Sequence, residues 1–279
     1  MRRCFFALSA VMLLMFSCTG KKAGQADEMP TDTVADSSEV TATDTMELLI
    51  TETPMPRAAD AMFDDFIFNF VANKKLQKER IVFPLRTTEG GKTTTTEKAK
   101  WKMERLFMRQ GYYTLLFDDE EQMSHMKDTA VSEAVVEKIQ LKKNRVVNYR
   151  FLRVKGAWMM TGIDVTPISE NANASFLHFY QKFVNDSVFQ QGSINETVQF
   201  VGPDPDDDFA MMEGVITPDT WEAFAPALPV KVLYNIVYGK PRAAGNEMIF
   251  LMKGVANGLE LELRFKKVGG KWLLMKMTT

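Results

Sequence analysis

Phe63–Val71 (FDDFIFNFV) and Phe176–Val184 (FLHFYQKFV) carry phenylalanines in matching places: Phe66 and Phe70 recur as Phe179 and Phe183, 113 residues on. Farther along, Tyr149–Trp158 (YRFLRVKGAW) recurs as Leu261–Trp272 (LELRFKKVGGKW), setting Trp158 against Trp272 at an offset of 114. Such a period is too long for a solenoid unit and has the size of a small domain, so the chain reads as two tandem copies of one unit.

Working outward, Phe63, Phe66, Ile67, Phe70 and Val71 fall at helical spacing and predict an amphipathic helix over about Met62–Gln77, with its counterpart over Ser175–Gln190. Second helices are expected at Thr96–Arg109 and Thr217–Phe224, the latter with Thr217 to cap and Pro218 in the first turn. Strands follow in each half. They are expected at Tyr112–Phe117, Val135–Lys142, Arg145–Val154 and Trp158–Val165, then at Val230–Tyr238, Glu247–Ala256, Leu259–Lys267 and Lys271–Met277. Turns at Lys155-Gly156, Asn257-Gly258 and Gly269-Gly270 join them. Helices followed by an antiparallel meander make an α+β unit.

A long first helix followed by a curved antiparallel sheet, whose last hairpin carries Gly156-Ala157-Trp158 or Gly270-Lys271-Trp272, resembles the nuclear transport factor 2-like fold, a cone with a cavity between helix and sheet. Together with the N-terminal signal described next, DDFIFNFVANKKLQKERIVFPL and YRFLRVKGAWMMTGID are similar to a family of bacterial lipoproteins carrying that fold. The resemblance implies a fold class, two tandem cone-like α+β units, and a compartment. It carries over no catalytic residue.

Arg2 and Arg3 precede an apolar run, Phe5–Phe16, broken only by Ser9, and Ser17 leads into Cys18. The run is too short to span a bilayer and suits a signal peptide. Met15-Phe16-Ser17-Cys18 resembles a lipobox, so residues 1–17 are expected to be removed and Cys18 to be acylated. Cys4 and Cys18 are the only cysteines, which leaves the mature chain no disulfide. Residues 18–59, with eight acids against three bases and no apolar periodicity, read as a tether. Two domains, 60–168 and 169–279, complete the plan. The expected address is the cell envelope, on the periplasmic side of an outer membrane to which the lipid attaches the chain.

The formal charge of −2 excludes the basic excess that nucleic-acid binding needs. Gly91-Lys92-Thr93 lacks the upstream glycine of a phosphate loop, having Arg86 in its place. The aspartates at 204 and 206–208 lack the glycine and glutamate of a calcium loop. Asp118–Glu121 reads as the acidic start of a helix. With two histidines in different halves, no metal set or triad is legible, and no cofactor is expected.

Nineteen methionines and twenty phenylalanines give ample means to line an apolar pocket. The chain is therefore read as a non-enzymatic binding or interaction module. Its expected partners are an apolar small molecule or an envelope protein, and the candidate ligand residues are His178, Tyr180 and Trp221, which add polar tips to apolar bodies. A hydrolase or isomerase using the cone is the alternative, and a structural scaffold the third reading.

Overall fold

The computed structural model describes residues 55–204, 206–242 and 245–279. The signal-like run, Cys18 and nearly all of the tether lie outside the described residues. Six helices are named here: α1 (Phe63–Ala72), α2 (Lys74–Arg80), α3 (Glu120–Ser124), α4 (Ala174–Phe183), α5 (Ser187–Gln191) and α6 (Trp221–Phe224). The strands are β1 (Leu85–Glu89), β2 (Lys92–Thr96), β3 (Tyr112–Phe117), β4 (Glu133–Gln140), β5 (Arg145–Val154) and β6 (Ala157–Pro167), then β7 (Ile194–Asp204), β8 (Asp207–Ile216), β9 (Val232–Tyr238), β10 (Glu247–Gly254), β11 (Glu260–Val268) and β12 (Lys271–Thr278).

The first expected helix breaks in two. Asn73 turns extended at φ −118° and ψ 110°, and its side chain accepts from Leu76 N at 2.9 Å, ending α1 and capping α2. Asp186 caps α5 in the same way, accepting from Phe189 N at 2.9 Å after α4. The stretch expected as a helix at 96–109 holds only 3-10 turns, at Lys98–Lys100 and Leu106–Arg109. The buried Gln77 side chain claims its backbone: Nε2 donates to Glu104 O at 2.8 Å and Oε1 accepts from Glu104 N at 3.1 Å, while Leu106 takes a left-handed φ of 40°. Gly91-Lys92-Thr93 lies at the β1–β2 hairpin turn, where Gly90 and Gly91 supply positive φ.

Two six-stranded sheets form, ordered β2-β1-β6-β5-β4-β9 and β8-β7-β12-β11-β10-β3. Position by position they match, including a parallel contact of β1 with β6 and of β7 with β12. Register shifts at Arg150/Phe151 and Arg264/Phe265 stand at equivalent places and bend each sheet around its helix. On the concave faces, Phe63 meets Trp158 at 4.9 Å and Phe70 meets Phe151 at 5.3 Å. Phe176 likewise meets Trp272 at 5.5 Å and Phe183 meets Phe265 at 5.5 Å. Each cone is thus filled by rings, and both tryptophans are buried.

The two halves also exchange a strand. β3 pairs with β10, and β9 pairs with β4, so the last strand of each sheet comes from across the expected boundary at 168/169. In consequence Ile139, Leu141, Val146 and Leu233 enter the core under α4, whereas Leu115, Phe117, Ile249 and Leu251 enter the core under α1.

Candidate functional site

Strand alternation gives the first sheet two unlike faces. Ala134, Val136, Tyr149, Phe151 and Ile236 point into the core with α1. Val135, Glu137, Asn148, Arg150, Leu152, Asn235 and Val237 alternate with them and line a cavity of about 640 Å³. Its far wall brings in Leu116, Asp118 and Gln122 from the end of β3 and the start of α3, and Asn171 and Asn173 from the turn before α4. The cavity lies on the face of the sheet turned away from α1, not inside a cone.

Glu137 is 6% exposed at its inner end. Asn171 Nδ2 donates to Glu137 Oε1 at 2.7 Å, and Asn235 Nδ2 donates to Oε2 at 2.8 Å. Both amides are fixed in turn. Asn171 Oδ1 accepts from Asn173 N at 2.8 Å, and Asn235 Oδ1 accepts from Leu116 N at 2.9 Å on the exchanged strand. Burial pushes the Glu137 carboxyl up, and the two asparagine hydrogen bonds oppose the rise. Among the described residues no ion pair reaches it.

Strand register places Leu251 opposite Leu115 in the other sheet, where Glu137 stands opposite Asn235. Those leucines are 3% and 0% exposed and belong to the core under α1. The fold can therefore close this position with hydrocarbon, and in one sheet it holds a carboxyl and an amide instead.

Asp118, Glu133 and Glu170 also line the cavity, and Asp64 on α1 meets the cavity-lining Tyr238 from the other face of the sheet. Asp118 accepts from Gln122 Nε2 at 3.3 Å through Oδ2, and the Gly245 backbone and the Arg242 charge also favour its ionised form. Burial pushes the Asp118 carboxyl up as well. Tyr238, at the cavity edge, donates to Asp64 Oδ1 at 2.5 Å. Burial raises Asp64 to about 6 against the lowering by that hydrogen bond, with Asp65 adding to the rise and Lys253 opposing it.

The three residues singled out from sequence do not converge. Tyr180 is fully buried against Phe250, with its hydroxyl donating to Pro229 O at 3.1 Å. Trp221 is buried near Phe183 and donates through Nε1 to Gln190 Oε1 at 3.0 Å. His178 is exposed on α4 and lines a surface recess with Lys142, Gln181 and Asp186, among whose lining residues neither Tyr180 nor Trp221 stands. Asp119, expected at a helix start, caps α3 by accepting from Gln122 N at 2.7 Å. Among the described residues no group of three or more potential ligands is placed to hold a metal, and no helix is long and apolar enough to cross a membrane.

The family described as a domain of unknown function, DUF4348, matches residues 42–279. The chain belongs to the DUF4348 family. A solved nuclear transport factor 2-like protein from Bacteroides fragilis is 42% identical to this DUF4348 chain, with a TM-score of 0.72 over 81% of this chain and 98% of that one. That likeness agrees with the fold expected from the Phe and Trp pattern, so the DUF4348 body is a nuclear transport factor 2-like α+β structure. Comparison with curated proteins finds no match.

Proposed function

We propose that this protein is a non-catalytic binding module of the cell envelope whose ligand occupies the cavity on the outer face of the first sheet, with Glu137 as its orienting group. The observation that carries this reading is the Asn171–Glu137–Asn235 network. A carboxyl is held in a buried place where the matching position of the other sheet carries a leucine, and it faces a cavity of the size that small ligands use. Burying a carboxyl costs stability that an apolar residue would not cost, so its presence there points to a use. The Asp–Tyr pair at Asp64 and Tyr238 offers no equivalent for chemistry, since the Tyr238 hydroxyl is committed to the Asp64 carboxyl.

The envelope address rests on the sequence alone. Acylation of Cys18 would hold the body to the outer membrane through the segment up to residue 59, and Cys18→Ala should shift the protein out of the membrane fraction or leave an unprocessed precursor. Duplication of one ancestral unit is the accompanying reading, supported by the matching strand order and ring contacts of the two halves.

Occupancy of the cavity is tested by thermal denaturation against a broad panel of lipids, saccharides, peptides and amines. Compounds that stabilise the wild type should fail to stabilise Val135→Trp, which places an indole in the cavity. Hits that survive Val135→Trp and vanish with His178→Ala would move the site to the recess on α4 and end this proposal.

A further inference from the structure

We infer that the ligand of this cavity is an organic cation, a compound carrying an ammonium group that meets Glu137. This rests on the reading of the cavity as the binding site and adds the charge of its occupant. The lining is mixed, with carboxyl, amide and hydroxyl groups beside Leu116, Phe117, Val135, Leu152 and Val237, which suits an occupant with a polar head on an apolar body. A carboxylate has about four acceptor positions. The two asparagines fill two of them at Glu137, both from the protein side, and neither brings a positive charge.

Among the described residues, no base of the cavity forms an ion pair with Glu137. Arg150 pairs with Asp164, and Arg242 pairs with Glu121 at 3.8 Å, while Lys240 is exposed at the rim. Asp118 sets a second carboxyl in the same lining, one whose charged form burial opposes while the Gly245 backbone and Arg242 already favour it. An anion at the inner wall would meet the Glu137 carboxyl with none of these bases paired to it, and a neutral alcohol or sugar would supply donors but no charge. An ammonium supplies three donors and the missing charge together. Buried charges are normally paired, so a buried carboxyl in an amide cradle that no basic side chain of the described residues reaches gains its ionised form most readily from a partner of opposite sign.

The experiment measures the melting midpoint of the full-length protein with spermidine, 1,8-octanediol and glutarate, at about 150 mM salt so that attraction to exposed acids is screened. Spermidine should raise the midpoint saturably, the diol and the diacid should not, and Glu137→Gln, which keeps the size and polarity of the side chain, should weaken the spermidine response roughly tenfold or more. A response to spermidine equal in wild type and Glu137→Gln overturns the inference. So does a response to the diol or glutarate without one to spermidine, although a response of that kind lost in Val135→Trp would leave the cavity reading standing. Silence of the three probes overturns the cation inference, and the broader panel with Val135→Trp then decides the cavity reading separately.

Discussion

Glu137 and Leu251 occupy matching places in two sheets of one design, and the difference between them can be weighed. Asn235→Ala removes the donor to Glu137 Oε2 and the acceptor for Leu116 N, leaving two buried groups unpaired at about 1–3 kcal/mol each. A loss of roughly 2–6 kcal/mol is expected in denaturant unfolding. The double variant Glu137→Leu with Asn235→Leu copies the Leu251–Leu115 pair and should recover the part of that loss due to the orphaned carboxyl, while Leu116 N and Asn171 Nδ2 stay unpaired. A double variant as unstable as the sum of its single changes would show that the network serves the fold and not a ligand. Asp64 gives the molecule a pH response. Its carboxyl is raised in the fold from 3.8 to about 6, so the folded state holds the proton more tightly than the unfolded chain. Its contribution is complete below pH 3.8 and is lost as pH rises through about 6. Asp64→Asn should flatten the stability profile between those limits by up to roughly 3 kcal/mol. An unchanged slope in urea titrations at pH 4, 5 and 6 would place the proton elsewhere.

Strands and helices differ in how plainly the chain announces them. The helices α1 and α4, and the strands β3 to β6 and β9 to β12, were legible because rings and branched residues recur at a helical or alternating period. The pairs β1–β2 and β7–β8 were not. LRTTE and KTTTT have almost no buried residue, and β7 and β8 carry Pro203 and several acids, so no hydrophobic period marks them. The site was less legible still. Phenylalanine and methionine pointed to a pocket, but the phenylalanines of α1 and α4 fill the cones, and Tyr180 and Trp221 proved to be part of that filling. Glu137 stands between Val135 and Ile139 on its face of β4, and its partners lie 34 and 98 residues away, a distance no local motif spans. Aligning the repeat would have set Glu137 against Leu251, the one local signal available. The exchange of β3 and β9 was invisible for the same reason. At its crossing Thr114 Oγ1 donates to Tyr234 O at 2.6 Å and accepts from Tyr234 N at 3.2 Å. Thr114→Val keeps the shape and removes both bonds, and should cost about 2–4 kcal/mol, whereas Thr114→Ser should cost much less. Equal losses in the two variants would mean that the methyl packing, not the hydroxyl, fixes the crossing.

For the molecule as a whole, strand exchange makes one cooperative body out of two repeated units. Leu233 of β9 is buried under α4, as are Ile139 and Val146 of the opposite half, and Leu251 and Ile249 do the reverse under α1. Neither core is complete within its own half. Residues 55–168 and 169–279 expressed apart would each leave a sheet without its sixth strand and a core without one wall, so each should lack a cooperative unfolding transition, and mixing them should restore one. Within the intact chain, Trp158→Ala and Trp272→Ala should each cost on the order of 3–5 kcal/mol, the range for large aromatic truncations in cores. Because the cores share their walls, each change should lower a single transition detected by probes in both halves. Two separate transitions, with only the mutated half shifted, would show that the exchanged strands join the halves without coupling them. The cavity's position gives that coupling a consequence for binding. Asn235, which holds Glu137, and Leu116, whose N–H holds Asn235, both belong to exchanged strands. If the exchanged strands only bind the halves into one cooperative unit, Trp272→Ala should lower the melting midpoint while leaving the increment a ligand adds unchanged, because that increment depends on the affinity of the folded state alone. A smaller increment in that variant would show that the shared walls carry the distortion as far as Asn235 and the cavity.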